Sequence, residues 1–184
     1  MSLVVLVLIV GCASSNTHKY PENLKAYQDL QQLVNSQRFT IDSRRALPAA
    51  TLGLTRLQNA NFLGAGNSAG NIDITGNYNY LRVEGDSVFA FLPFYGEQRT
   101  GSNYANDTRL GIEFKGIPNN YMVIFDDEKL KAQISFSIKD QYRNHESYNV
   151  YINLFTGLKC DVRVLSTTRS GVAYIGTVEA LKAE

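Results

Sequence analysis

Residues that commonly carry catalysis or bind metals are scarce in this sequence. Its 184 residues include two His, two Cys and no Trp. His18 and His145 lie in separate polar stretches, and neither belongs to a His-x-His or His-Glu-x-x-His pattern. Cys12 and Cys160 are far apart in the chain and form no Cys-x-x-Cys motif. We therefore predict no catalytic residue, no metal site and no cofactor.

Charged residues are also few, and the two signs are nearly balanced. They make up 19% of the chain, below the usual quarter, with 18 basic against 17 acidic side chains. The formal net charge is +1. A nucleic-acid partner requires a strong basic excess on one face, so this balance argues against one. The 11 Tyr, 9 Phe and 14 Gly instead fit an all-β protein with many turns.

The apolar run Leu3–Val10 is too short to cross a bilayer as a helix, which takes about 20 residues. It has the length of the hydrophobic region of a signal peptide. It leads into Ile9-Val10-Gly11-Cys12, which resembles the lipobox of bacterial lipoproteins. This pattern predicts a signal peptide at residues 1–11, cleavage before Cys12 and acylation of Cys12, because several acyl chains give a stable anchor. The alternative is a buried strand that happens to end in Cys.

Residues 12–20 are small and polar and form the expected lipidated tether, and residues 21–184 form a single β domain. No run of acidic residues follows Cys12, and the next residue is Ala13 rather than Asp. We therefore expect the protein in the bacterial cell envelope, held through Cys12 in the outer membrane and facing the periplasm. With Cys12 acylated, Cys160 has no disulfide partner, and its alternating surroundings predict a small buried side chain.

The stretch Leu81–Gly96 contains two apolar runs joined by Glu84-Gly85-Asp86. Aromatic and β-branched residues dominate both runs, and the glycine between them supplies the positive φ that a tight reversal needs. Pro93 cannot donate a hydrogen bond to a neighbouring strand, so the second strand should end there. The stretch therefore predicts a β-hairpin that leaves the sheet through Phe94-Tyr95-Gly96.

Only one clear helix is predicted, over Pro21–Gln37, where apolar residues recur at helical spacing after a first-turn proline. Most of the remaining chain alternates between apolar and polar residues, most regularly in Leu130–Ile138 and Tyr148–Leu154. About nine or ten strands at hairpin-like spacing predict an all-β fold. We expect a single antiparallel β-barrel, or a barrel-like sandwich, with one N-terminal α-helix.

Two segments depart from this regular pattern. The run Tyr121–Phe125 is apolar on both faces, which predicts a central strand. From Thr51 to Gly70 the regular pattern fades, and Gly64–Gly70 predicts a flexible loop. A glycine-rich phosphate cradle is the alternative for this loop, but no Gly-Lys-Ser/Thr follows it and no βαβ unit surrounds it.

The hairpin region resembles a known family. Gly85-Asp86-x-Val88, running into Leu92-Pro93-Phe94-Tyr95-Gly96, is similar to a lipoprotein domain found mainly in Bacteroidota, the domain of unknown function 4251. Further matching motifs, in chain order, are Phe39-Thr40-Ile41, Ala46-Leu47-Pro48, Gly157, Val162 to Ser166, Arg169 and Tyr174-Ile175-Gly176. The resemblance covers roughly Leu24 to Val178. It implies a lipocalin-like antiparallel barrel and an envelope location, and it implies no activity.

The aromatic exit of the hairpin and the polar loops around it suggest a surface for contact with a ligand or partner. The candidate residues are Phe94, Tyr95, Arg99, Tyr104, Arg169 and Tyr174. Core packing is the alternative role for each of them. Because a closed eight-stranded barrel can hold one small ligand, we expect an envelope-anchored, non-catalytic module that binds a small apolar ligand or an envelope protein.

Two other functions stay open at the level of the sequence. One is an envelope hydrolase, for which His145 and Glu146 are the only local candidates for an acid–base pair. The other is a structural or assembly lipoprotein without a ligand cavity. The shape of the barrel interior distinguishes the ligand-binding hypothesis from the structural one.

Overall fold

The computed structural model describes residues 19–99 and 111–182. These residues form helices α1 (Lys19–Asn35) and α2 (Leu52–Asn59). They also form ten strands: β1 (Arg38–Pro48), β2 (Ile72–Asp73), β3 (Tyr80–Glu84), β4 (Ser87–Leu92), β5 (Ile112–Gly116), β6 (Asn119–Asp126), β7 (Lys131–Lys139), β8 (Ser147–Phe155), β9 (Lys159–Ser166) and β10 (Val172–Ala180). Neither helix is long and apolar enough to cross a membrane.

Nine strands form one antiparallel path in the order β5-β4-β3-β1-β10-β9-β8-β7-β6, and β2 pairs with β1 off this path. The sheet curls into a half-barrel. Its two edges, β5 and β6, are consecutive in the chain and are joined by the short link Ile117-Pro118. The N–H of Gln141, which follows β7, donates to the carbonyl oxygen of Glu113 in β5 at 2.9 Å. The predicted all-β, barrel-like architecture with an N-terminal helix is confirmed.

The predicted hairpin is present as β3 and β4. The pairing runs from Tyr80 opposite Phe91 to Glu84 opposite Ser87. Gly85 lies in the turn with φ of +63°, a conformation that glycine adopts without a steric penalty. The second strand ends at the residue before Pro93, as the lack of a proline N–H requires.

The concave face of the sheet is covered by α1 and by inward-pointing side chains. Tyr27, Leu30 and Val34 form the buried stripe of the helix, which packs on β1, β7 and β8. The alternation predicted for β7 and β8 places their apolar residues in the same core. The largest fully buried side chains on the strands are Tyr148, Tyr174, Phe39 and Phe114.

The first and last strands meet in the middle of the sheet, where β10 lies between β1 and β9. Gly176 of β10 pairs with Ser43 on one side and with Cys160 on the other. A Cβ atom at position 176 would overlap the backbone carbonyl of Asp42, so the strands can approach this closely only at a glycine. Cys160 is 2% exposed, and burial raises the pKa of its thiol to about 12. Its predicted role as a small buried side chain is confirmed.

The structure contains a second helix, α2, that the sequence pattern does not predict. The Thr51 side chain caps it by accepting a hydrogen bond from the N–H of Leu54 at 3.3 Å. Leu54 is the buried residue of this helix, so the helix has no apolar stripe that periodicity could reveal. The first helix, α1, begins and ends two residues earlier than predicted, at Lys19 and Asn35.

The prediction of a central strand at Tyr121–Phe125 is wrong, because these residues belong to the edge strand β6. Met122 and Ile124 point outward and are 54% and 51% exposed. Tyr121, Val123 and Phe125 are only partly buried against the core. An apolar run without alternation does not distinguish a strand covered on both faces from an edge strand that leaves one apolar face exposed.

Candidate functional site

Two of the six residues predicted to form a contact surface lie in the interior. Arg169 is 7% exposed and Tyr174 is fully buried. The Tyr174 hydroxyl donates to the carbonyl oxygen of Pro93 at 2.8 Å, which fixes the chain where it leaves the hairpin. Their burial corrects the prediction that these two side chains are exposed to a partner. Packing, the alternative considered for them, describes their positions.

The other four candidate residues have different environments. Phe94 and Tyr95 are partly buried and pack against the core. Arg99 is exposed, and its backbone N–H donates to the carbonyl oxygen of Thr168 at 2.7 Å. Tyr104 lies outside the described residues. The structure brings Phe94 and Arg169 into contact, and it leaves Arg99 available on the surface.

Arg169 is at the centre of a buried polar cluster. Its guanidinium lies 4.4 Å from the centroid of the Phe94 ring, and its Nε lies 2.7 Å from Oε1 of Glu146. Its Nη2 donates to the Tyr148 hydroxyl at 2.7 Å, and its Nη1 donates to the carbonyl oxygen of Gly111 at 3.1 Å. These contacts join the turn after β9 to β8, to the exit of the hairpin and to the residue preceding β5.

A second arginine completes the cluster. Nη1 of Arg143 lies 3.3 Å from Oδ2 of Asp140 and 3.8 Å from Oε2 of Glu146, so two guanidinium groups face two carboxylates. The Tyr148 hydroxyl donates to Asp140, and burial raises the pKa of Tyr148, which keeps this donor protonated. Paired charges in the interior add little net stability but make loss of one partner costly. The cluster therefore acts as a structural clasp.

The hypothesis of a His145–Glu146 acid–base pair does not match the geometry of these two residues. Glu146 is fully buried, and its Oε1 accepts hydrogen bonds from Ser166 at 2.6 Å and from Arg169. His145 is exposed. The Glu146 carboxylate is therefore held inside the buried cluster, whereas His145 lies at the surface. Within residues 19–99 and 111–182, no group of three or more His, Cys, Asp or Glu side chains is placed to hold a metal ion.

The sequence also contains the spacing of a serine-hydrolase motif. Gly66-Asn67-Ser68-Ala69-Gly70 has the Gly-x-Ser-x-Gly spacing of a nucleophile elbow. An elbow places its serine on a sharp turn from a strand into a helix. Here the segment follows α2 and precedes β2, and Ser68 forms an isolated bridge with Asn71 between two turns. The local structure is therefore not that of an elbow.

The outer face of the sheet carries two neighbouring rows of side chains across β7, β8 and β9. In the first row, Gln133, Asn153 and Asp161 are cross-strand partners. The amide nitrogen of Gln133 donates to Asn153 at 2.9 Å, and the amide nitrogen of Asn153 donates to Asp161 at 2.8 Å. We call these three side chains the polar ladder. Their mutual hydrogen bonds fix the orientation of each polar group.

The second row consists of Ser135, Tyr151 and Arg163, which are also cross-strand partners. Tyr151 is 46% exposed. Arg163 is exposed, and its guanidinium has no hydrogen-bond partner among the residues that the structure describes. On the side of Tyr151 opposite to Arg163, the cross-strand neighbour is Ser135. Because the serine side chain is short, it leaves space beside the phenol ring.

The two rows line a groove of about 580 Å³, and the exposed aliphatic residues in its lining are Ile124 and Leu165. A second groove of about 320 Å³ shares Arg163 and Leu165 with the first and continues past Arg99 to the end of β1. We call these two adjoining grooves together the outer groove. Its first part is within the usual size of ligand sites, about 300–1,000 Å³. Among the predicted contact residues that the structure describes, Arg99 alone lines it.

Comparison with known proteins identifies the family of this chain. A family model described as "Domain of unknown function (DUF4251)" matches residues 22–178. The chain belongs to this family. None of the curated proteins compared with the chain matches it. The matched range in this family member runs from α1 into β10 and includes both the buried clasp and the strands that carry the outer groove.

The outer groove of this family member could be predicted only in part. The alternation in β7, β8 and β9 correctly places Gln133, Tyr151 and Arg163 on the outer face. Which outward residues become neighbours depends on the register between strands, and a single sequence does not show the register.

A second exposed feature lies on the other half of the outer face. The rings of Tyr78 and Phe91 lie 6.0 Å apart, and Tyr78 is 77% exposed. The guanidinium of Arg82 lies 5.7 Å from the Tyr80 ring centroid and 5.1 Å from that of Phe89. The Arg82 guanidinium is therefore already in contact with neighbouring aromatic rings. The Arg163 guanidinium in the outer groove, in contrast, has no hydrogen-bond partner among the described residues.

Proposed function

We propose that this chain is an envelope-anchored, non-catalytic module that binds its partner on the outer face of the sheet. The contrast between the two faces carries the proposal. The concave face is occupied by α1 and by buried aromatic side chains, whereas the outer face has a groove with exposed Tyr151, Arg163 and Arg99. A depression with a few convergent polar groups is the usual form of a binding site.

Cys12 is the anchor in this proposal. The apolar run Leu3–Val10 and the pattern Ile9-Val10-Gly11-Cys12 support cleavage before Cys12 and acylation of its thiol and new amino group. Acyl chains of this kind would hold the protein in the outer membrane, facing the periplasm. Residues 1–18 lie outside the described residues, and α1 begins at Lys19, so the tether to the folded domain would be short.

One observation favours a small apolar ligand as the second candidate. A cavity of about 210 Å³ lies where the link between β5 and β6 passes the hairpin turn, and its lining includes Val83, Val88, Ile117 and Tyr121. The Tyr121 hydroxyl is buried without a hydrogen-bond partner among the described residues, and burial raises its pKa to about 12. This volume is below the usual lower limit for ligand sites, so we rank this candidate second.

Photo-crosslinking in cells tests the proposal. The full chain is produced with Tyr151→p-benzoylphenylalanine, and benzophenone inserts into C–H bonds of proteins and glycans alike. We expect a crosslinked species of higher mass at position 151, because this side chain lines the groove. The matched control is Tyr78→p-benzoylphenylalanine, an exposed aromatic position outside the groove. Equal crosslinking at the two positions, or none at 151, would contradict the proposal.

The same experiment tests the anchor. In the Cys12→Ala background, we expect the protein to leave the membrane fraction, to lose its acyl mass in mass spectrometry and to lose most of the crosslink at position 151. Acyl chains contribute about 0.8 kcal/mol for each buried methylene, so their removal should have a large effect on fractionation. A wild-type protein whose mass shows no acyl groups on Cys12 would exclude acylation of Cys12 as the anchor.

A further inference from the structure

We propose that the outer groove binds a linear, acidic oligosaccharide. This inference rests on the proposed function, because it names the class of ligand for the same groove. Three features of the groove carry it: an ordered set of polar groups, an exposed ring beside them, and arginines along its length. Each corresponds to one chemical property of an acidic sugar chain.

The polar ladder supplies the groups that recognise hydroxyls. Its internal hydrogen bonds use one oxygen of Asp161 and the side-chain nitrogen of Gln133, at 2.8 and 2.9 Å from their Asn153 partners. The second oxygen of Asp161 and the amide oxygen of Gln133 have no partner among the described residues. A sugar hydroxyl both donates and accepts, so it can complete such a row. Because the ladder is already ordered, little side-chain entropy is lost on binding.

Tyr151 supplies the apolar contact that a sugar ring requires. It is 46% exposed and has short Ser135 as one cross-strand neighbour, so a flat ligand can reach its ring. A pyranose has polar edges and an apolar face of C–H groups, and an aromatic ring can cover that face while its hydroxyl remains in water. The polar ladder in the adjacent row would then meet the edge of the same sugar.

Charge and shape indicate an acidic, linear chain rather than a single neutral sugar. Arg163 lies where the two parts of the groove join, and Arg99 lines the further part. Both side chains are exposed, and a guanidinium binds a carboxylate with two parallel hydrogen bonds. Asp161 is the one carboxylate among the described lining residues, so the two arginines leave the lining with an excess of positive charge. The lining residues of the two adjoining grooves extend across the sheet from β6 to β1, which is the direction in which a linear chain of sugar units would lie.

The backbone beneath the groove argues against an extended peptide as the ligand. Peptides that add to a sheet pair with a free edge strand. The floor of the groove lies on β7, β8 and β9, whose backbones are already paired with one another. A ligand here contacts side chains only.

Isothermal titration calorimetry of the full chain, purified in detergent, tests the inference. The probes are pentagalacturonate as an acidic oligosaccharide, cellopentaose as a neutral one and pentaglutamate as an acidic peptide. We expect pentagalacturonate to bind, and Tyr151→Ala or Arg163→Gln to weaken its binding about tenfold each. The controls Tyr78→Ala and Arg56→Gln replace exposed residues outside the groove and should leave binding unchanged. Melting temperatures of all four variants should match that of the wild type.

The other outcomes overturn the inference in distinguishable ways. Pentaglutamate binding as tightly as pentagalacturonate would show recognition of charge alone. Tighter binding of cellopentaose would exclude the acidic class. Absence of sugar binding together with a specific crosslink at position 151 would overturn the saccharide and leave the proposed function intact. Absence of both would overturn the two proposals together.

Discussion

Gly176→Ala should lower the free energy of unfolding by about 3 kcal/mol, because the added methyl group would overlap the backbone of β1. The Cβ atom would lie far inside contact distance of the carbonyl oxygen of Asp42. A backbone atom in the middle of a sheet has no rotamer by which to move away, so β1 and β10 must separate locally. Chemical denaturation of the full chain in detergent measures the effect, and thermal melting should show a decrease of roughly 10 °C.

Gly70→Ala is the matched control for this substitution. Gly70 is exposed, and a Cβ atom there would have nothing within 4 Å. The same chemical change should therefore alter the free energy of unfolding by less than about 0.5 kcal/mol. If the Gly176→Ala and Gly70→Ala proteins melt at the same temperature, the close approach of β10 to β1 is not present in solution.

Arg169→Met should destabilise the protein by about 3–5 kcal/mol, because it leaves the carboxylate of Glu146 buried without its closest cation. Methionine keeps much of the length of the side chain and its contact with Phe94 and removes the charge. The substitution also deprives Tyr148 of a hydrogen-bond donor. Denaturant-induced unfolding, followed by tyrosine fluorescence or circular dichroism, measures the loss.

A second variant separates the charge effect from a general packing defect. Adding Glu146→Gln to Arg169→Met removes the uncompensated charge, so the double variant should recover about 1 kcal/mol or more relative to Arg169→Met alone. Arg163→Gln, at an exposed position of β9, should change stability by less than about 0.5 kcal/mol. A double variant less stable than Arg169→Met would exclude the clasp as we describe it.

The strands and the hairpin were predictable because their signals are local. Gly85 and Pro93 mark the turn and the end of the second hairpin strand, and both roles follow from single-residue chemistry. The alternation in Leu130–Ile138 identifies the inward face of β7 without knowledge of its neighbours. The inward residues predicted for β8 and β9 are likewise buried.

The arrangement of the strands was not predictable, since it depends on contacts between distant parts of the chain. The sequence gives no sign that β1 and β10 pair at the centre while the apolar run Tyr121–Phe125 lies at an edge. The clasp was not predictable for the same reason. Asp140 and Glu146 belong to the connection between β7 and β8, Arg169 belongs to the connection between β9 and β10, and the pairing of β8 with β9 brings the two connections together.

The candidate contact surface was likewise predictable only in part. The prediction for the segment where the hairpin leaves the sheet correctly grouped Phe94 with Arg169, because the Arg169 guanidinium stacks on the Phe94 ring. This contact lies inside the protein and not on its surface. The residues that line the outer groove lie two positions apart on three strands, and none of them is unusual for an outward position. Their combination becomes visible only when the register places Tyr151 beside Arg163.

Native mass spectrometry of the full chain, purified from membranes in detergent, tests most directly the claim that the function resides on the outer face and not in the interior. We predict a protein mass with its lipid modification and no small apolar molecule other than detergent, since α1 and the aromatic core occupy the concave face. One apolar molecule retained per chain would contradict a functional outer face. Such a result would move the binding site to the cavity beside Tyr121.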